Sequence, residues 1–277
     1  MDTFYDRLVN LINSTRPITM QKVGLLIRRP RQSIRTFVNN RRPEIYVSAW
    51  GSRAFCGDEE LLKFQRSFKK NLQNCTWKPH PKYSVFTQYD QSFYLSRKSA
   101  FLHKYKCFYA VSKTIAPRRI LELGAHAGSS ADAYVSASPD AEYFGLDQFD
   151  DGVLSGIVHE VNGVPWLPQK IAEQLFEARG FKKYQLVKVD LRSLDKLPFL
   201  ADFVVVDAAH DFDNEYADLK LALTAKPTFI FVDDSDGGGS HDALQKFLAE
   251  DVKDKVEYYC GISYIGGGLV IKLRPDA

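Results

Sequence analysis

Two apolar runs of the chain end in acid: Val206-Asp207-Ala208-Ala209-His210 and Val232-Asp233-Asp234. Asp207 and Asp233 are 26 residues apart, the length of one helical crossover between adjacent parallel strands, so the spacing predicts three carboxylates meeting beyond two neighbouring strand ends. Unneutralised, they would repel one another strongly. A hard divalent cation such as Mg²⁺ relieves that repulsion and suits a carboxylate-rich, water-accessible site, which makes Asp207, Asp233 and Asp234 the expected metal ligands. His210 stands three residues beyond Asp207. A neutral imidazole can take a hydroxyl proton, and a metal on the same oxygen would make that proton more acidic.

A second constellation lies upstream. Arg118-Arg119-Ile120-Leu121-Glu122-Leu123-Gly124-Ala125-His126-Ala127-Gly128-Ser129-Ser130 reads as a buried strand, a glycine turn and the start of a helix. Glycine permits backbone angles that a Cβ forbids and lets the main chain approach a nucleotide-like ligand closely. The spacing is Gly-x-x-x-Gly, so it is neither the dinucleotide fingerprint nor a P-loop. Two further acids, Asp147 and Asp190, close the next two predicted strands. In an open parallel sheet, residues ending successive strands face one crevice. Each acid alone could equally be a turn former.

Glu122-x-Gly124-x-x-x-Gly128 resembles the first motif of class I S-adenosylmethionine (SAM) dependent methyltransferases. The fuller "LELGAHAGSS" looks most like the version found in metal-dependent O-methyltransferases of the catechol type, and Gly145-Leu146-Asp147-Gln148-Phe149 resembles a segment of the macrocin-type sugar O-methyltransferases. The resemblance covers about residues 118–273. It implies a SAM site made by Glu122, Gly124, Ala125, His126, Gly128 and Ser129 at the turn, Asp147 and Gln148 at the ribose, Asp190 and Leu191 at the adenine, and Asp207. It also implies metal ligands at Asp207, Asp233 and Asp234, with His210 in the place of the general base. Asp218-Leu219 continues the pattern, with Phe212 in its aromatic place. The Asn/Asp-Pro-Pro-Tyr/Phe sequence of amino-methylating enzymes is absent after the fourth strand.

These residues need a frame. From residue 118 onward, β-branched or aromatic runs alternate with amphipathic stretches, which predicts an α/β fold: a Rossmann-like, doubly wound, mostly parallel sheet. Expected strands are Ile120–Leu123, Glu142–Asp147, Tyr184–Val189, Phe203–Val206 and Phe229–Val232, with an antiparallel hairpin of Val256–Ile262 and Leu269–Leu273 at the end. Expected helices are Ser99–Ile115, Ser129–Ala137 and Gln169–Arg179. The segment Asp150–Pro168, carrying His159 and Trp166, interrupts the alternation and reads as a lid or substrate loop. His241, after the Gly237-Gly238-Gly239 loop, reads as an exposed helix start.

Residues 98–277 form the expected catalytic domain, and residues 1–97 a basic N-terminal region. Residues 1–119 carry 23 Lys and Arg against 7 Asp and Glu, a net +16, whereas 120–277 carry 14 against 27, a net −13. Such segregation implies either a surface for an anionic partner or two segments that pack on each other. Acceptor selection and homo-oligomerisation are the roles open to the basic region. The four cysteines form no C-x-x-C pair, and no apolar run is long enough to span a membrane, so a cytoplasmic setting is expected. The functional expectation is methyl transfer to a small or medium hydroxylated acceptor, with a nucleic-acid methyltransferase or a non-catalytic SAM-binding domain as alternatives.

Overall fold

The computed structural model describes residues 48–88, 97–149, 160–161, 164–165 and 167–275. Residues 1–47, most of the expected lid, and His159 and Trp166 with it, lie outside them. In chain order the elements are β1 (Ser52–Ala54), α1 (Glu59–Gln73), α2 (Val85–Gln88), α3 (Lys98–Ile115), β2 (Arg119–Leu123), α4 (Ser129–Ala137) and β3 (Glu142–Asp147). Then come β4 (Glu160–Val161), β5 (Val164–Pro165), α5 (Pro168–Arg179), β6 (Tyr184–Lys188), β7 (Phe203–Val206) and α6 (Phe212–Leu223). The last are β8 (Phe229–Asp233), α7 (Gly238–Glu250), β9 (Val256–Ile262) and β10 (Gly268–Leu273).

Eight strands form one sheet in the order β1-β9-β10-β8-β7-β2-β3-β6. Five strands, β8, β7, β2, β3 and the edge strand β6, run parallel, and β10, β9 and β1 add antiparallel pairs at the other side. This is the expected doubly wound sheet with its closing hairpin. Successive strands β2, β3 and β6 step one way from the centre, and β7 and β8 step the other. The strand order therefore reverses between β2 and β7, which opens a crevice above their carboxyl ends.

The central strands are apolar on both faces because helices cover both. Phe203 and Val205 of β7, with Phe231 of β8, join Phe108 of α3 and Tyr134 of α4 in one core layer. Val204, Val206 and Val232 point the other way, into a layer with Leu219 of α6 and Leu244 and Phe247 of α7. Local chemistry sets the helix ends. Helix α3 stops at Ala116, held in the left-handed region at φ 51°, just before Pro117; α5 starts on Pro168 and ends at Gly180 with φ 73°.

The stretch before α3, which shows no clear sequence periodicity, packs into the same sheet. Strand β1 pairs with β9 in the register Ser52 with Cys260, and α1 lies against α3. A part-buried ion pair ties the next segment down: Arg179 donates to both oxygens of Asp132 at 2.7 and 2.8 Å and to the Lys78 carbonyl, while Trp77 Nε1 donates to Asp132 at 3.0 Å. The four cysteines are unpaired thiols. Among the described residues no helix is long and apolar enough to cross a membrane.

Phe108 is fully buried, stacks on Tyr134 at 5.1 Å and meets Phe231 and Tyr264 edge-on. Its ring fastens α3 to the sheet. Phe108→Ala should lower the urea-denaturation free energy by about 3–5 kcal/mol; a loss below about 1 kcal/mol would show that the helix is held by something else.

Candidate functional site

The crevice at the strand-order reversal holds a cavity of about 780 Å³, within the range of small-molecule sites. The glycine turn forms one wall. Gly124 has φ 93°, and a Cβ there would come within 2.1 Å of the Asp207 carbonyl oxygen, so only glycine lets β2 turn so tightly against the end of β7. Backbone bonds lock the two ends, from Gly124 N–H to the Leu146 carbonyl and from Asp207 N–H to the Leu123 carbonyl. Gly128, at φ 74°, opens α4 and faces α5 rather than the cavity.

Of the residues expected around the cofactor, Gly124, Ala125, His126, Ser129, Asp147, Gln148, Asp190, Leu191 and Asp207 line the cavity. Glu122 and Gly128 do not. The Glu122 side chain is fully buried, accepting a short hydrogen bond from the Tyr143 hydroxyl, and so braces the turn from beneath. Asp147 accepts from the His126 N–H at 2.9 Å and from the Phe149 N–H at 2.6 Å. Each of its oxygens has a second lone pair for a ligand hydroxyl. Asp190 caps the short 3₁₀ turn Leu191–Ser193 through the Arg192 N–H, so it is a turn former and a cavity wall at once.

The acids at the ends of β7 and β8 open on the opposite wall. Donor atoms of Asp207, His210 and Asp234 lie within 4.8 Å of one another, near enough for one metal ion to meet all three. His210 is half exposed, with Nε2 4.0 Å from Asp234 Oδ2. Asp234 adopts φ 46°, a left-handed angle rare outside glycine. Gly266 of the β9–β10 turn presses on its carboxylate so closely that a Cβ would fall 1.6 Å from Oδ1. The Asp234–Asp236 turn is also held from the N-terminal side: Ala49 N–H donates to Asp236 at 2.6 Å and Trp50 Nε1 to the Ser235 carbonyl at 3.0 Å.

Asp233 is engaged differently. Its carboxylate is almost wholly buried, accepts from the Tyr264 hydroxyl at 2.7 Å, and pairs with the Lys104 ammonium at 2.6 Å. Lys104 also reaches Asp234 Oδ1 at 3.3 Å. Of the three expected metal ligands, Asp207 and Asp234 belong with His210 to the group that could hold a cation, and Asp233, the more tightly paired with Lys104, does not. Burial drives the Lys104 pKa down, but the charge of Asp233, backed by Asp234 and Asp207, more than reverses this and holds it well above the ordinary value. The lysine is an ammonium. Burial, then the neighbouring charge of Asp233, push the Asp207 carboxyl well above the usual range. With all three acids ionised around a bound cation, three carboxylates against one ammonium would leave an excess of two negative charges, which one Mg²⁺ balances, and Mg²⁺ is commonly held by one or two carboxylates with water and substrate oxygens. The donor set fits such an ion.

Lys104 and Tyr264 escaped the sequence reading. The available signal was a lysine in the apolar face of α3, between Phe101, Tyr105 and Phe108. Arg192, which forms a further ion pair on the cavity wall with Asp218 of the Asp218-Leu219 pattern, carries no comparable local signal. His241 sits at the start of α7, 4.7 Å from the Trp50 ring, and does not line the cavity.

No protein-family model matches the chain, and no curated protein matches its sequence. Among solved structures, the SAH-bound methyltransferase PaMTH1 of Podospora anserina superposes with a TM-score of 0.50 at 17% identity, over 81% of this chain and 100% of that one. The SAM complex of the O-methyltransferase TomG from Streptomyces achromogenes gives 0.47 at 16% identity, over 76% and 97%. The SAH complex of an O-methyltransferase from Bacillus cereus gives 0.46 at 14%, over 87% and 97%. The first of these likenesses spans all of that methyltransferase, so the chain shares its fold.

Two buried acids give the fold a pH signature. Burial raises Glu122 to about 7 and Glu215, which meets Ser240 behind the site, to about 8, both from 4.5. The folded chain therefore holds these protons to higher pH than the unfolded one. Their stabilisation is complete below the unfolded value and is lost as pH rises through the folded values. Denaturation at a series of pH values should show the wild type losing stability relative to Glu122→Gln between about 4.5 and 7; a difference that is flat or rises with pH would mean that Glu122 is ionised in the fold.

Proposed function

We propose that the protein is a SAM-dependent, Mg²⁺-assisted O-methyltransferase acting on a small or medium hydroxylated acceptor, a vicinal hydroxyl pair being the most suitable. One observation carries this reading: the glycine turn of β2 and the Asp207–His210–Asp234 cluster open onto the same cavity, at the point where the strand order reverses. When bound, SAM supplies an electrophilic methyl group, and the divalent cation supplies charge that acidifies the acceptor hydroxyl.

The chain's own residues divide the remaining work. The turn from Gly124 to Ser129 forms the cofactor wall of the cavity, and Asp147 accepts hydrogen bonds from the ribose diol. Asp207 and Asp234 hold the cation and so orient the acceptor oxygens. His210 Nε2 would take the proton that the acceptor hydroxyl gives up on methylation. A hard cation prefers oxygen, which leaves the imidazole free to act as base. Phe101, Tyr105 and Ile265 supply an apolar wall beside these polar groups, suited to the body of the acceptor.

Calorimetry should detect SAM and its demethylated product binding to the wild type, and Asp147→Ala should weaken both by about tenfold or more, the scale of a charge-assisted hydrogen bond. No heat with either ligand would overturn the cofactor assignment. With an acceptor in hand, His210→Ala should lower kcat by about 10²–10⁴ while leaving SAM affinity unchanged; undiminished turnover removes His210 as the base. Chelation and Asp234→Asn should each suppress turnover, and activity that survives both contradicts the cation reading.

A further inference from the structure

Lys104 is an unusual residue to find in the middle of α3. Its neighbours on that face are Phe101, Tyr105 and Phe108, and its ammonium lies 5.6 Å from the Phe108 ring centre and 5.8 Å from that of Tyr264. Only 8% of the residue is exposed. A charge so enclosed is costly unless it is paired with good geometry. The 2.6 Å bond to Asp233 Oδ2 provides the pairing, and Tyr264 fills the other oxygen at 2.7 Å.

The strand end that delivers Asp233 also delivers Asp234, and both line the same cavity as Asp207. Asp233 nonetheless stands outside the group that Asp207, His210 and Asp234 form. What withholds it is the lysine. We propose that Lys104 is a positioning residue that keeps Asp233 out of the cation's ligand set, so that Asp207 and Asp234 alone anchor the ion and coordination positions stay open for the two oxygens of the acceptor. The inference rests on the cation reading above. An octahedral ion holds six ligands, and each protein carboxylate excluded leaves a position that substrate can occupy. The ammonium also reduces the excess charge of the three acids to what one divalent ion balances.

The test uses Mn²⁺ as a spectroscopic probe, titrated by electron paramagnetic resonance into the full chain, with SAM calorimetry on the same samples. Lys104→Met keeps length and removes charge, freeing Asp233 to join the ion. Mn²⁺ affinity should rise by about tenfold or more, the scale on which residues around metal ligands act, while the KM for an acceptor rises. In Lys104→Met combined with Asp233→Asn, which removes both members of the buried pair and guards against a misfolded single variant, Mn²⁺ affinity should return to within about threefold of wild type. Unchanged or weaker binding in the folded single variant would overturn the proposal. So would a loss of about tenfold or more in the double variant, because Asp233 would then be a ligand in the native site. Wild-type protein that binds SAM but no Mn²⁺ defeats the cation reading and this inference with it, and leaves the cofactor assignment standing. Wild-type binding of Mn²⁺ with a wrong variant ratio defeats the role of Lys104 alone.

Discussion

The reversal of strand order between β2 and β7 is the constraint on which the rest of the site depends. Two parallel strands that hydrogen-bond side by side, yet send their chains to opposite faces of the sheet, leave a gap above their ends that no crossover fills. The gap demands a tight turn on one side, because the Asp207 carbonyl occupies the space a Cβ of residue 124 would need. On the other side it delivers two acid-bearing strand ends in register, with Val206 of β7 opposite Val232 of β8. Cavity, glycine turn and acid cluster are consequences of one topological fact. The side chains then give this opening its chemistry.

Concentrating carboxylates at such a point has a cost, and the fold meets part of it internally. Lys104 reaches across from α3 to the end of β8, and the Asp132–Arg179 pair performs a similar service between α4 and α5. The Lys104–Asp233 pair and Asp132 are buried and Arg179 is partly so; removal of either cation would strand a buried carboxylate, and neither pair is expected to stabilise the fold much beyond an apolar substitute for the whole pair. Their value is in specifying position. The opposite charges of the two halves of the chain gain a partial explanation: Lys104 and Arg119 of the basic half meet Asp233, Asp234 and Glu142 of the acidic half. Part of the segregation is internal pairing.

What was legible in the sequence was what local spacing encodes. The strands from Ile120 to Val232, the closing hairpin and the glycine turn each carry their own signal in periodicity or turn chemistry, and their acids follow because strand ends are fixed by the strands. The 26-residue spacing of Asp207 and Asp233 was correctly readable as adjacency. Lys104 was not legible as a partner, because α3 and β8 are separated by more than 100 residues and no short pattern links them. Strand β1 was invisible for a different reason. At three residues it is too short to alternate, and its place in the sheet comes from pairing with β9. Asp233 illustrates the limit most sharply, since sequence could bring it to the site but could not say which cation it would face.

The same limit bears on His210. An imidazole within 4.0 Å of Asp234 can ligate a metal or accept a proton, and coordination occupies the lone pair that proton transfer needs. The choice is therefore made by the hardness of the cation. A borderline-soft ion such as Zn²⁺ recruits nitrogen and would consume the base, whereas Mg²⁺ takes the carboxylates and water and leaves it free. The half-exposed position of His210 supports the second arrangement, because a base must pass its proton on to solvent after each turnover, and a ligand is better served by enclosure. On the proposed reading, metal identity and base identity are one choice, made by the oxygen-rich character of two strand ends.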